Sequence, residues 1–311
     1  MNKLLVGLDI GGTKCAVITG LMNEQGDIAI EAREAFPTPK TQEEAIQHLG
    51  DLAEQMTAGR EIAAIGISAG NPMDAEKGML LNPPNLPGWT GISMTERMTQ
   101  RFGAPARMEN DANACALAEY RLGAGKGCTN MVFTTFGTGF GAGLVLDGRL
   151  YRGTTGCAGE LGHWRLSNDG PSGYGKLGSF EGFCSGGGMA QLAQTVALRY
   201  IQNGTPPAYQ QFDVKTVAQA ARAGDAAALE VFEICGNKLG QGLALVCDLL
   251  DVERIVLGSI YARCEDLLVK PMRKVLDRET LPNHTAILPA ALGEQIGDYA
   301  ALTIAAMEVK P

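Results

Sequence analysis

Apolar residues in the first third of the chain come in short bursts with strand spacing. Residues 4–10 (Leu4, Leu5, Val6 and Leu8 among them), 14–20 and 27–35 read as three successive strands, the last two divided by a turn around Asn23 to Gly26. From Thr41 to Thr57 the spacing becomes helical: Ala45, Ile46, Leu49, Leu52, Ala53 and Met56 recur on one face, and Thr41 is placed to cap it. Ile62 to Ile67 is a further apolar strand, giving the order β-β-β-α-β. Residues 68–91 then crowd turn formers together, in Gly70-Asn71-Pro72, Asn82-Pro83-Pro84-Asn85 and Pro87-Gly88-Trp89. Such density predicts no long regular element, and long ordered loops inside a compact domain are usually functional. A strand at Ala106–Met108 leads into a helix running to about Leu122.

The pattern begins again near Asn130. Met131 to Phe136, Gly141 to Asp147 and Arg149 to Tyr151 read strand, turn, strand, turn, strand. Helical spacing covers 186–203, 214–223 and 225–250, a strand at Arg254–Leu257 ends in Gly258-Ser259, and a last helix spans about 298–309. The repetition predicts two α/β lobes, a small one of 1–112 plus about 295–311 and a large one of 113–294, packed closely around a shared cleft.

At 311 residues the chain can bury a core in each lobe. A net charge of −8 and a sequence pI near 5.0 give no basic footprint, which argues against nucleic acid and anionic membranes as partners and for a small-molecule ligand. The eight cysteines contain no C-x-x-C pair, the N-terminus lacks a secretory leader, and no apolar run reaches the ~18 residues of a bilayer span. These features predict reduced, buried thiols in a cytoplasmic protein.

Candidate chemistry sits in four places. Asp9-Ile-Gly-Gly-Thr-Lys14 follows the first strand, and Phe136-Gly-Thr-Gly-Phe-Gly-Ala-Gly143 follows the first strand of the second pass. Glycine lets main-chain N–H groups approach an anion, and threonine adds a hydroxyl donor. Asp9 at a strand end can orient a hydrated Mg²⁺. The competing reading of either loop alone is a plain hairpin turn; together they point to nucleotide phosphates. Glu109-Asn110-Asp111-Ala112-Asn113 lies at a strand-to-helix step, where Asn or Asp commonly serves as N-cap and where a carboxylate can also act as base for a hydroxyl proton. Gly159-Glu160-Leu161-Gly162-His163, with Glu181 further on, offers carboxylate acceptors suited to sugar hydroxyls; His163 by itself reads as a core histidine or a metal ligand.

Asp9-Ile-Gly-Gly-Thr, Asn85-Leu-Pro-Gly-Trp89, Glu109-Asn-Asp-Ala-Asn113, Phe136-Gly-Thr-Gly and Gly159-Glu-Leu-Gly-His163 together resemble the ROK family of sugar kinases and sugar-responsive repressors, in family order and over nearly the whole chain. The resemblance implies an actin-like (ribonuclease-H-like) duplicated α/β fold with ATP in an interlobe cleft. It implies Asp111 as catalytic base and Asn110, Glu160, His163 and Glu181 around the sugar. Asp9, Gly11, Gly12, Thr13, Gly137, Thr138 and Gly139 are expected near the nucleotide phosphates and Mg²⁺. Asn71 and Asn85 join the expected sugar-binding residues, and Lys14 and Gly258 the nucleotide-binding ones.

The chain departs from the family twice. Members usually hold a structural zinc through the histidine of Gly-His and three cysteines in C-x-C-G-x-x-G-C-x-E; counting back from Glu181, those cysteines are Ser172, Tyr174 and Ser179 here. Neutral hydroxyls replace thiolates poorly, so no zinc is expected, and Cys157 and Cys184 lie off the ligand spacing. The second departure is Ala69-Gly70-Asn71-Pro72, where Asn71 brings an amide into a loop that bears on sugar choice. The expected activity is ATP-dependent phosphorylation of a hexose, at the 6-position by resemblance. The alternatives are an N-acetylglucosamine or N-acetylmannosamine kinase and a non-catalytic sugar-sensing regulator. Only eight residues precede Asp9, which offers no helix-turn-helix. The resemblance also implies a homodimer or homotetramer.

Overall fold

The computed structural model describes residues 2–282 and 284–309. Met1, Asn283, Lys310 and Pro311, which the sequence reading assigns to the lobes, lie outside the described residues. Two compact units form: Met1–Gly127 with Leu150–Ala158 and Glu294–Pro311, and Cys128–Arg149 with Gly159–Gly293.

The first unit is built on a five-stranded sheet of order β3-β2-β1-β4-β8: β1 (Lys3–Ile10), β2 (Lys14–Met22), β3 (Ile28–Pro37), β4 (Ile62–Ala69) and β8 (Ala106–Asn110). The hairpin strands pair antiparallel, whereas β4 and β8 run parallel to β1. Strand alternation splits β1 between two cores. Val6, Leu8 and Ile10 face α1 (Gln42–Thr57), whose Ala45, Ile46, Leu49 and Ala53 are buried against them. Leu5 faces α9 (Ile296–Ala306) through Ala301, Leu302 and Ala305. Gly66 of β4 admits that helix, since a β-carbon there would lie 2.0 Å from the Ala301 carbonyl oxygen. Thr41 caps α1 in a reciprocal box with Glu44, as its position predicts.

The loop-rich stretch 68–91 holds more order than its turn residues predict. Three short antiparallel strands form, β5 (Met73–Asp74), β6 (Met79–Leu81) and β7 (Thr90–Ser93), followed by α2 (Met94–Phe102). Ser93 caps α2 by accepting from the Glu96 N–H. The first unit runs to Gly127 and includes Leu150–Ala158, and within it α3 (Asp111–Leu122) packs on α9.

The second unit repeats the plan with sheet order β11-β10-β9-β14-β15: β9 (Met131–Thr134), β10 (Ala142–Leu146), β11 (Arg149–Tyr151), β14 (Arg254–Leu257) and β15 (Ala286–Pro289). β9 and β10 pair antiparallel and β14 is parallel to both β9 and β15. A small hairpin, β12 (Ser172–Gly173) and β13 (Lys176–Leu177), precedes α4 (Phe180–Phe183), α5 (Gly186–Gln202), α6 (Val214–Arg222) and α7 (Ala226–Leu250). α8 (Ile260–Glu279) packs along α7. The sequence pattern gives little sign of α8, because its start lacks a side-chain cap, Cys264 interrupts the helical backbone, and Pro271 lies inside it.

Candidate functional site

On the first unit, the strand that points Val6 and Leu8 into one core turns Asp9 to the opposite, α9 side. A side chain at Gly297 would lie 3.8 Å from Asp9 Oδ2. Asp298, in the first turn of α9, accepts from Arg33 Nε at 2.8 Å, while Asp111 occupies the first turn of α3. Burial, then the charges of Asp111 and Asp298, push the Asp9 carboxyl up to about 6, with Arg33 pulling the other way. Two helix N-termini favour negative charge here, but three carboxylates remain more than they neutralise.

The turn after β1 is closed by the Gly11 N–H donating to the Lys14 carbonyl at 3.0 Å. Thr38 braces it from β3's end: its N–H donates to the Thr13 carbonyl at 3.0 Å and its hydroxyl to the Gly11 carbonyl at 2.6 Å. Gly12 lies against Asn85, where a β-carbon would meet the Asn85 Cβ at 2.8 Å. The structure therefore brings Asn85 to the glycine turn. Lys14 is exposed and opens β2, and Asn71, half-buried, precedes a cis Pro72.

In the Glu109–Asn113 segment the N-cap role falls to Asn110. Asn110 is the N-cap of α3, its Oδ1 accepting from the Ala112 and Asn113 N–H groups at 3.0 and 3.2 Å. Its Nδ2 donates to Asp111 Oδ1 at 3.0 Å, and that oxygen also accepts from the Ala112 N–H at 2.8 Å. Asp111 is exposed, with one oxygen fixed by two donors.

On the second unit, the 136–143 loop is tied down at several points. Gly137 N–H donates to the Gly139 carbonyl at 3.0 Å, Gly186 N–H to the Gly137 carbonyl at 2.8 Å, and Ile260 N–H to the Phe136 carbonyl at 2.9 Å. Phe140 packs on Phe180 of α4, ring centroids 4.3 Å apart, and Gly258 N–H donates to the Thr134 carbonyl at 2.9 Å. Thr138 stands exposed at the loop tip. Glu181 Oε2 accepts the Phe140 N–H at 3.0 Å, so this carboxylate staples the glycine loop to α4. Glu160 and His163, at either end of a single 3₁₀ turn, are both about half exposed, with Oε2 and Nε2 4.0 Å apart.

The profile of the ROK family matches residues 5–308. The chain belongs to the ROK family. A glucokinase of Streptomyces coelicolor is 32% identical over 313 residues, covering 97% of this chain and 96% of the relative. The crystal structure of a ROK glucokinase from Streptomyces griseus in complex with glucose and AMPPNP is 31% identical, covers 98% of this chain and 99% of the other, and superposes with a TM-score of 0.78. A ROK hexokinase from Thermus thermophilus gives a TM-score of 0.80 at 30% identity, covering 98% and 99%. The duplicated α/β architecture is that of these sugar kinases.

Against other ROK proteins, the positions of the usual zinc ligands are differently employed. Ser179 is fully buried and caps α4 by accepting from the Gly182 N–H at 3.0 Å. Ser172 is held on its main chain by Gln191, which accepts from its N–H at 3.0 Å and donates to its carbonyl at 2.9 Å. Tyr174 stacks on His163 with centroids 5.0 Å apart, and Lys176 Nζ donates to the His163 carbonyl at 2.7 Å. The Ser179 hydroxyl is spent on the cap, and neutral serine and tyrosine hydroxyls are not the thiolate ligands of a tetrahedral zinc site. A hydrated Mg²⁺ does fit Asp9, since a cation offsets the repulsion that raises this carboxyl. Sequence reading missed Thr38, Arg33 and Asp298, none of which lies in a glycine motif.

Proposed function

We propose that this ROK protein is an ATP-dependent hexose kinase that phosphorylates the 6-hydroxyl. The observation that carries the reading is Asp111, an exposed carboxylate whose Oδ1 is locked by Asn110 Nδ2 and the Ala112 N–H at the start of α3. Fixing one oxygen orients the carboxylate as a base before substrate arrives. The sugar O–H gives its proton to Asp111 as the oxygen bonds to the γ-phosphorus, and the bond from that phosphorus to the ADP oxygen breaks. The turns at Gly11–Thr13 and Gly137–Gly139, with Lys14 and Gly258 beside them, bind the phosphates. Gly11 and Gly137 contribute turn shape, since their N–H groups donate within their own turns. Asp9 would hold a hydrated Mg²⁺, which would supply charge neutralisation for the nucleotide phosphates. On this reading Asn71, Asn85, Asn110, Glu160, His163 and Glu181 bind sugar hydroxyls, and Glu181 also orders the second glycine loop.

The test is ADP release across glucose, mannose, fructose, allose, N-acetylglucosamine and N-acetylmannosamine, with phosphorus NMR of the product. Turnover of glucose or mannose to the 6-phosphate is expected. Selective turnover of the acetylated sugars reassigns the substrate, and no turnover on any sugar overturns the kinase reading.

A further inference from the structure

Glu109, the residue before the Asn110 cap, is 2% exposed, and a carboxylate so buried must be paired. Its partner comes from 43 residues away: Arg152 Nε donates to Glu109 Oε2 at 2.8 Å, and Arg152 Nη2 donates to the same oxygen. The other oxygen, Oε1, accepts from the Asn110 N–H at 3.2 Å and from Asn113 Nδ2 at 3.0 Å. Arg152 sits on a short loop closed on itself by the Ala158 N–H donating to the Arg152 carbonyl at 3.1 Å, within the first unit. The chain of contacts thus runs from Arg152 through Glu109 to the backbone of Asn110, and from the Asn110 amide to Asp111 Oδ1.

We infer that Arg152 is a positioning residue for the Asp111 base, acting through the buried Glu109 carboxylate; the inference rests on the kinase reading above. The guanidinium holds Glu109 Oε2 from one side, which sets Oε1 against the Asn110 N–H and the Asn113 amide. Without the guanidinium, the Glu109 side chain loses the donors that fix it and turns Oε1 away from those two groups. Asn110 then loses its anchor, and Asp111 loses the donor that fixes Oδ1. Arg152 needs no contact with the sugar for this, so its loss acts on the chemical step more than on sugar affinity.

The experiment compares wild type with Arg152→Ala and Arg152→Lys on the best sugar from the panel, measuring kcat and sugar KM. Arg152→Ala is expected to lower kcat about 10–100-fold, the usual effect of a displacement on the ångström scale, with sugar KM within about threefold. Arg152→Lys is intermediate, and added guanidinium ion partly restores kcat to Arg152→Ala. If Arg152→Ala does not fold, Arg152→Lys decides by the same split. Unchanged kcat in a folded variant overturns the inference, as does a sugar KM that rises as far as kcat falls, which makes Arg152 a sugar contact. A wild type inactive on every sugar defeats the kinase reading and this inference together, whereas an active wild type with an indifferent Arg152 defeats only the inference.

Discussion

Asp9 carries a stability cost that can be measured without any activity. Its carboxyl is pushed from the ordinary 3.8 up to about 6 by burial and by Asp111 and Asp298. Below pH ~4 the carboxyl is protonated in both the folded and unfolded chain and costs nothing. Between about 4 and 6 the unfolded chain has released this proton and the folded chain has not, so stability falls as pH rises, and above about 6 the whole penalty is present. At roughly 1.4 kcal/mol per pH unit, the penalty at pH 7 approaches ~3 kcal/mol. Asp9→Asn keeps the shape and removes the charge, so in Mg²⁺-free buffer at pH 7.5 the variant should be more stable than wild type by up to ~3 kcal/mol. For a unit of this size that is about 6–12 °C in Tm. At pH 4 the two should melt together. The assay is thermal unfolding of both proteins from pH 4 to 8 with a chelator present; the difference between them reports Asp9 together with its coupling to Asp111 and Asp298. Adding Mg²⁺ and nucleotide should narrow the gap, because only wild type gains from the cation. A variant no more stable than wild type at pH 7.5, or a gap that does not change with pH, refutes the reasoning.

Asp111→Asn keeps the size of the side chain and its place beside the Asn110 cap, so it should fold and bind sugar while kcat drops roughly 10²–10⁴-fold; near-normal kcat would send the proton to another group. Glu160→Gln should raise sugar KM more than ATP KM, whereas Glu181→Gln should raise both, because Glu181 also holds the Phe140 N–H of the glycine loop. Identical effects of the two variants would sink that distinction. Gln191→Leu removes both hydrogen bonds to Ser172 and should cost about 1–2 kcal/mol in a melting experiment. A strong chelator should leave the melting of wild type and its sugar KM unchanged once Mg²⁺ is resupplied, and one zinc per chain by elemental analysis would show that other ligands have taken over.

The linear order of residues was enough to place both glycine turns, the Thr41 cap, the alternation that buries Val6 and Leu8, and the step from β8 into α3. Each of these depends on neighbours within a few positions, where glycine conformation, cap chemistry and the periods of strand and helix act directly. The short strands within 68–91 and helix α8 were not legible, since pairing partners and packing on α7 outweigh local turn and proline signals there.

The electrostatics of the site came only with tertiary structure. Arg33 meets Asp298 across 265 positions and Arg152 meets Glu109 across 43, with no local pattern to announce either pair. Glu109 looked like one more polar residue in a motif until folding buried it against the guanidinium of the distant Arg152. Asp9 looked like an ordinary strand-end carboxylate until α3 and α9 brought Asp111 and Asp298 close enough to raise its pKa. Charges interact through space and through the dielectric that packing creates, and neither distance nor burial is a property of the sequence taken in order.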